Sequence, residues 1–214
     1  HLGGKHGEIA LVHNGIIENF ASLKKELFEA GYEFVSDTDS EVVAHLLARE
    51  FENAESLTEA MRACVAHLEG AFTLLAIHEG HPGTIVAARR NSPLVVGLGE
   101  GENFLGSDVA AFVDHTKSAV EIGQDQIVTV TANNVDVIGF DGTPVAEPKQ
   151  YTIEWDAASA QKSGYPSFMA KEIHEQAKAI SDTLLGRLEN NEIALDEMHI
   201  EPSLSLIHIS EPTR

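Results

Sequence analysis

Asn14-Gly15 closes the apolar run Ile9-Ala-Leu-Val-His13, and further along Thr38-Asp39-Ser40-Glu41 heads a helical pattern. An amide side chain next to an unhindered backbone N–H can aim two donors at one developing negative charge, which is an oxyanion-hole arrangement. That is half of an active site for acyl transfer. The other half, a nucleophile, is nowhere evident in the 214 residues. Both motifs also have plainer readings. Asn-Gly is a strong turn signal, and the alternating acids Asp37, Asp39 and Glu41 suit a helix start on dipole grounds alone.

The elements that must carry these residues follow from periodicity. Ile9 to His13 reads as a short buried strand stopped by Gly15. Asn19 is placed to cap a helix with apolar Phe20, Leu23, Leu27 and Phe28 and with Gly31 at its end. Asp39 or Ser40 is placed to cap a second helix carrying Val42, Val43, Leu46, Leu47 and Phe51. A third is predicted from Ser56 to Leu68, with Glu59 at capping-box spacing from Ser56.

From Ala71 the period shortens. Ala71 to His78 and Thr84 to Arg89 read as a hairpin, as do Leu94 to Leu98 and Asn103 to Gly106. Further strands are expected at 119–122, 127–131 and 135–140, with Asn133-Asn134 and Asp141-Gly142 as turns. Their connections are too short for crossovers, so the strands pair antiparallel. Helices ahead of an antiparallel set argue an α+β fold. Beyond Trp155, Asp156 to Gly164 is small and polar like a linker, and a helix is predicted from Phe168 to Leu188.

Composition narrows the function. The balance of 14 Lys+Arg against 34 Asp+Glu leaves a formal charge of -20, which repels nucleic acid and anionic membranes. One cysteine, Cys64, permits no internal disulfide and points to a reducing, cytoplasmic compartment. No apolar run reaches the roughly 20 residues of a membrane span. Cys64 lies among Met61, Val65 and Leu68 of a predicted helix and reads as a buried hydrophobe. His67, His78 and His81 match no zinc spacing, so no metal is implied. Gly97-Leu-Gly-Glu-Gly101 sits between strands, without the helix start a phosphate or dinucleotide loop requires, and reads as a turn.

Five segments taken in order carry a resemblance: His13 to Asn19, Phe34 to Leu47, Ser92 to Gly99, Glu102 to Asp108 and Met169 to Gln176. Together they resemble the glutamine–fructose-6-phosphate aminotransferase family of class II glutamine amidotransferases. Amidophosphoribosyltransferases share the Asn-Gly and Asp-Thr/Ser-Glu steps, but not the Ile-Ile-Glu after Asn-Gly or the Lys-Glu-Ile-His-Glu-Gln helix. The resemblance implies an N-terminal-nucleophile hydrolase fold, a four-layer αββα sandwich with antiparallel sheets. It implies glutamine as ammonia donor, fructose 6-phosphate as acceptor on downstream domains, no cofactor, and a homodimeric full-length enzyme. Asn14 and the Gly15 N–H match the family's oxyanion hole, and Asp39 matches the carboxylate that holds the α-ammonium of glutamine.

The same resemblance implies that residues 1–155 are a partial amidotransferase domain, and 156–203 a linker and the first helix of the sugar-isomerase region. Residues 204–214 resemble a translated sequencing adapter rather than a segment of the fold. The family's N-terminal cysteine and its carboxylate-binding arginine would precede His1, so this chain by itself is expected not to hydrolyse glutamine. A glutamine-binding domain that does not react, on the same fold, is the alternative of a different class.

Overall fold

The computed structural model describes residues 1–154, 165–184, 188–189 and 192–193, and the chain divides into two compact units, His1–Ala160 and Gln161–Arg214. In the first unit the order is β1 (Leu2–Gly3), β2 (Ile9–Ile17), α1 (Phe20–Glu29), α2 (Asp39–Phe51), α3 (Leu57–Val65), β3 (Gly70–His78) and β4 (Ile85–Arg90). There follow β5 (Val95–Leu98), β6 (Asn103–Gly106), a 3₁₀ turn (Val109–Ala111), β7 (Ser118–Glu121), β8 (Gln126–Val130), β9 (Val135–Gly139) and β10 (Gln150–Thr152). Within the second unit, α4 spans Phe168–Leu184, and β11 (Leu188–Glu189) pairs antiparallel with β12 (Glu192–Ile193). The expected linker at 156–164 and the tail at 204–214 lie outside the described residues.

The α+β expectation is met, with two sheets face to face. One sheet runs β1-β2-β3-β4-β8-β9 and the other β10-β7-β5-β6, and every ladder is antiparallel. Strand alternation assigns the faces. Ile9, Leu11, Phe72, Leu74, Val86 and Ala88 pack under α1–α3. Ala87, Val128 and Val130 of the same sheet turn the other way, against Val96, Val120 and Ile122 of the second sheet. On that sheet's outer face, Val95 and Ala119 meet Phe112, beside the 3₁₀ turn.

Several helix boundaries differ from expectation for identifiable reasons. Asn19 makes no side-chain cap on α1; its amide instead donates to His67 O at 2.8 Å and accepts from Glu69 N at 3.1 Å, tying the start of α1 to the chain entering β3. Helix α3 starts after the Ser56 cap as expected, but ends at Val65 rather than Leu68. Leu68 is buried just beyond it, where the chain turns toward β3. Helix α4 is described over Phe168–Leu184, and the expected terminal residue Leu188 stands in β11 instead.

Helix α2 is the centre of the packing. Val42, Val43, Ala44, Leu46 and Leu47 are all fully buried, because the helix lies across β1 and β2 while α1 and α3 flank it. Arg49 near its end bonds Glu26 of α1 at 2.5 Å. On the opposite face of β2, Val12 and Ile16 stay 63% and 68% exposed, since the second sheet covers the β4-β8 side.

Leu46→Ala is expected to lower unfolding free energy by about 2–5 kcal/mol through a core cavity. Phe28→Ala, at a position 70% exposed on α1, should fall within about 0.5 kcal/mol of the parent. Urea denaturation of the two variants checks the contrast, and equal losses would contradict this packing.

Candidate active site

The site is built on the free edge of β2. This strand does not stop at Gly15; it continues to Ile17 in unbroken register with β3, from Ile9↔His78 to Ile17↔Gly70. Gly15 is what lets it continue. Its φ is +134°, and a Cβ there would lie 2.1 Å from Ala71 O, so any other residue would both strain the backbone and strike β3. Strand β1 pairs with β2 only at Ala10 and Ile9, and His1 extends that contact to Leu11. From Val12 onward, no strand among the described residues covers this edge.

Alternation of the antiparallel ladder then fixes which amides face outward. The Leu11 N–H bonds His1 O on the outer side, whereas Glu18 N–H turns inward to Glu69 O. Odd-numbered amides of β2, Gly15 and Ile17 among them, therefore face the free edge. The Ile17 N–H is taken: it donates to Asp39 Oδ2 at 2.9 Å. Asp39 is thus anchored one pleat repeat, about 6.5 Å, from the Gly15 N–H.

Capping explains how Asp39 is free to do this. Neither Asp39 nor Ser40 caps α2; Thr38 does, in extended backbone, accepting from Glu41 N at 3.4 Å. Asp39 becomes the first helical residue, where the helix dipole favours an anion, and its carboxylate reaches across to β2. Oδ1 lies 3.7 Å from His13 Nδ1 and 3.4 Å from Ser40 Oγ, and His13 Nδ1 lies 2.9 Å from that same Ser40 Oγ. The His13 side chain is 2% exposed, and burial pushes its pKa down against the pull of Asp39.

The three alternating acids have separate environments. The Asp37 side chain is fully exposed beside Lys24. Glu41 is buried and accepts from Val35 N, Ser36 N and Ser36 Oγ at 2.9, 2.8 and 2.6 Å, pinning the segment that leads into the Thr38 cap. Burial alone would raise the Glu41 carboxyl, but these hydrogen bonds outweigh it and hold it below the ordinary carboxylate value. One turn on, His45 is pushed down by burial, accepts from Gly4 N at 3.2 Å, and packs edge-on against Phe34.

Asn14, on the face of β2 opposite the His13 side chain, lines a cavity of about 200 Å³ together with Val12, His13, Thr73, Leu94 and Ser107. Asn14, Gly15 and the anchor of Asp39 thus share one short stretch of strand. The one cysteine is elsewhere: Cys64 is fully buried on α3, and burial pushes its thiol well up, away from the reactive thiolate. His13, Ser40 and Glu41 were not singled out as site residues by sequence. His13 had one signal, a polar side chain on the buried parity of Ile9 and Leu11. Among the described residues no group of His, Cys, Asp and Glu could hold a metal ion, and no helix is long and apolar enough to cross a membrane.

A family model described as a glutamine amidotransferase domain matches residues 2–114. Among curated relatives, the glutamine–fructose-6-phosphate aminotransferase [isomerizing] of Streptomyces coelicolor is 58% identical over 199 residues, and that of Corynebacterium glutamicum 56% over 202. That of Mycobacterium tuberculosis is 51% identical over 201. These alignments cover 91–93% of this chain but 32% of each relative, so the chain spans about a third of their length. Two solved structures share the fold. One is a glutamine phosphoribosylpyrophosphate amidotransferase from B. subtilis complexed with ADP and GMP, with TM-score 0.53 and 22% identity over 72% of this chain and 36% of that one. The other is described as the allosteric regulatory enzyme of purine biosynthesis, with TM-score 0.54 and 23% identity over 72% and 35%.

Glu41→Gln is expected to cost about 1–3 kcal/mol at neutral pH, because its amide cannot accept at both oxygens from Val35 and Ser36. The sign follows from linkage: a carboxyl held below its unfolded value stabilises above that value, about 4.3, and the benefit is lost as pH falls through the folded value. The gap between parent and variant should therefore narrow in acid. His13 and His45, with depressed pKa values, should weaken both proteins below about pH 6.5. Urea midpoints between neutral and acid pH check this, and a gap that widens in acid would refute it.

Proposed function

We propose, from the premise that the chain belongs to the glutamine amidotransferase domain family, that it carries the oxyanion-stabilising and ammonium-binding half of a glutaminase site. The parent activity is that of a glutamine–fructose-6-phosphate aminotransferase (isomerizing). The observation that carries the reading is Asp39 fixed to Ile17 N–H, one pleat repeat along a free strand edge from the outward Gly15 N–H. Extended glutamine spans about that distance, its α-ammonium against Asp39 and its side-chain carbonyl against Gly15.

In this reading the thiolate of the family's N-terminal cysteine adds to the side-chain carbonyl carbon of glutamine. The carbonyl electron pair moves onto oxygen, and the oxyanion is met by the Gly15 N–H and the Asn14 amide. The cysteine's own α-amino group, which has taken the thiol proton, returns it to the leaving nitrogen as collapse breaks the C–N bond and ammonia departs. Water then cleaves the thioester to glutamate. Cys64 is too deeply buried to serve as that nucleophile. Ammonia would pass to fructose 6-phosphate, giving glucosamine 6-phosphate, on the two-thirds of the relatives' length that lies outside this chain. The reaction needs no cofactor. A cytoplasmic homodimer is part of the same proposal, supported for compartment by the single unpaired cysteine.

In the full-length enzyme, Asn14→Ala should lower glutaminase turnover by about 10²–10³ with the melting temperature unchanged. Asp39→Asn should act chiefly by raising the KM for glutamine. Steady-state release of glutamate measures both, and parental turnover in the Asn14 variant would rule out its oxyanion role.

A further inference from the structure

Hydrogen-bond direction around His13 carries a second conclusion. His13 Nδ1 and Ser40 Oγ are 2.9 Å apart, and either could donate. Two observations favour donation from Nδ1: Nδ1 also lies 3.7 Å from Asp39 Oδ1, and Nε2 is buried with no hydrogen-bond partner among the described residues. The Nε2 of His45, likewise without a hydrogen bond, has the Glu41 carboxylate 3.9 Å away. If Ser40 donated to Nδ1, the ring proton would sit on Nε2 as a buried, unmet donor. With the proton on Nδ1, Nε2 keeps only a bare lone pair, and an unmet acceptor is the more easily tolerated of the two. The Ser40 hydroxyl proton is then left to point at Asp39 Oδ1, 3.4 Å away. The chain of donors runs in one direction, from His13 Nδ1–H to Ser40 Oγ–H to Asp39 Oδ1, while Ile17 N–H holds Oδ2.

We propose that His13, in its Nδ1–H tautomer, is a positioning residue that fixes the Asp39 carboxylate through Ser40 and so sets the site's demand for a free α-ammonium group on its amide substrate. This rests on the reading of Asp39 as the ammonium clamp. His13 acts through Ser40 and not on the substrate: its side chain is 2% exposed and reaches Ser40 at the start of α2, on the face of β2 opposite Asn14. Two fixed contacts, one on each oxygen, define a carboxylate's orientation where one would leave it free to turn. Without the Ser40 contact, Asp39 keeps its bond to Ile17 but samples other rotamers, so affinity for the ammonium suffers while oxyanion stabilisation at Gly15 does not.

The test uses the full-length enzyme with His13→Leu, His13→Asn, Ser40→Ala and Asp39→Asn. Glutaminase kinetics are followed with glutamine and with 4-carbamoylbutanoate, which lacks the α-amino group. His13→Leu and Ser40→Ala should each raise the KM for glutamine about tenfold, the equivalent of one hydrogen bond, with kcat held and the KM for 4-carbamoylbutanoate unmoved. His13→Asn, whose amide can replace the Nδ1–H donor, should return toward the parent. If Ser40→Ala and His13→Leu leave the KM for glutamine unchanged while Asp39→Asn raises it, the proposal fails and the reading of Asp39 stands. If Asp39→Asn itself leaves that KM unchanged, the reading of Asp39 fails and takes the proposal with it. Equal losses on both substrates, or losses in kcat alone, would mark a merely structural histidine and overturn the proposal.

Discussion

The hydrogen bond from Ile17 N–H to Asp39 is the constraint on which the rest of the site depends. It joins the N-terminus of α2 to the free edge of β2, and so fixes where a charge on the helix lies relative to donors on the strand. A strand edge offers its outward amides at a fixed repeat, and a helix start offers a place where an anion is stabilised. Neither alone defines a substrate. Bonded together, they give a carboxylate and a backbone donor at a set separation, on elements whose cores are too well packed to drift. Leu46 and Leu47 on one side, and Ile9, Leu11 and Ile17 on the other, belong to one continuous core.

Helix α2 supports this arrangement from below. Its first turn carries the Thr38 cap and Asp39, and the buried Glu41 holds the incoming segment by three hydrogen bonds. One turn later, His45 accepts from the turn after β1, at the end of β2 away from Gly15. The helix therefore grips both the chain that precedes it and the strand beneath it. Glu41 and His45 approach to 3.9 Å, but burial disfavours a charged imidazole, so backbone donors rather than a counter-ion satisfy Glu41. Such a carboxylate is tied to geometry, since only that loop conformation presents both amides to it.

The sequence made the α+β layout and the hairpins legible, because both rest on local pattern, alternation and turn chemistry; the Asn-Gly and Asp-Ser-Glu steps likewise pointed to Asn14, Gly15 and Asp39 as candidates, which lie on or against one stretch of β2. What it missed was governed by partners distant in sequence. Asn19 looks like a cap, yet its side chain is claimed by the turn at 67–69. Gly15 looks like a strand terminator, since Asn-Gly usually turns the chain. Pairing with β3 overrides that preference, and the glycine instead serves close approach to Ala71. Asp39 looks like a cap because it stands at a helix start; only β2 reveals that Thr38 caps and Asp39 leaves. Periodicity also could not separate Glu41 from Asp37, because burial of one and exposure of the other come from a loop that folds back over α2.

Burial of His13 connects stability with recognition. A charged imidazolium less than 4 Å from Asp39 would be a built-in counter-ion, and in a shielded site that attraction is worth several times its value in water. It would satisfy the carboxylate, and any other cation approaching Asp39 would have to compete with it. Withdrawing His13 from solvent penalises its charged form, leaving a dipole that can orient Asp39 through Ser40 without neutralising it. The cost is a buried ring nitrogen without a partner among the described residues, a small local loss of stability beside the Asp39 carboxylate.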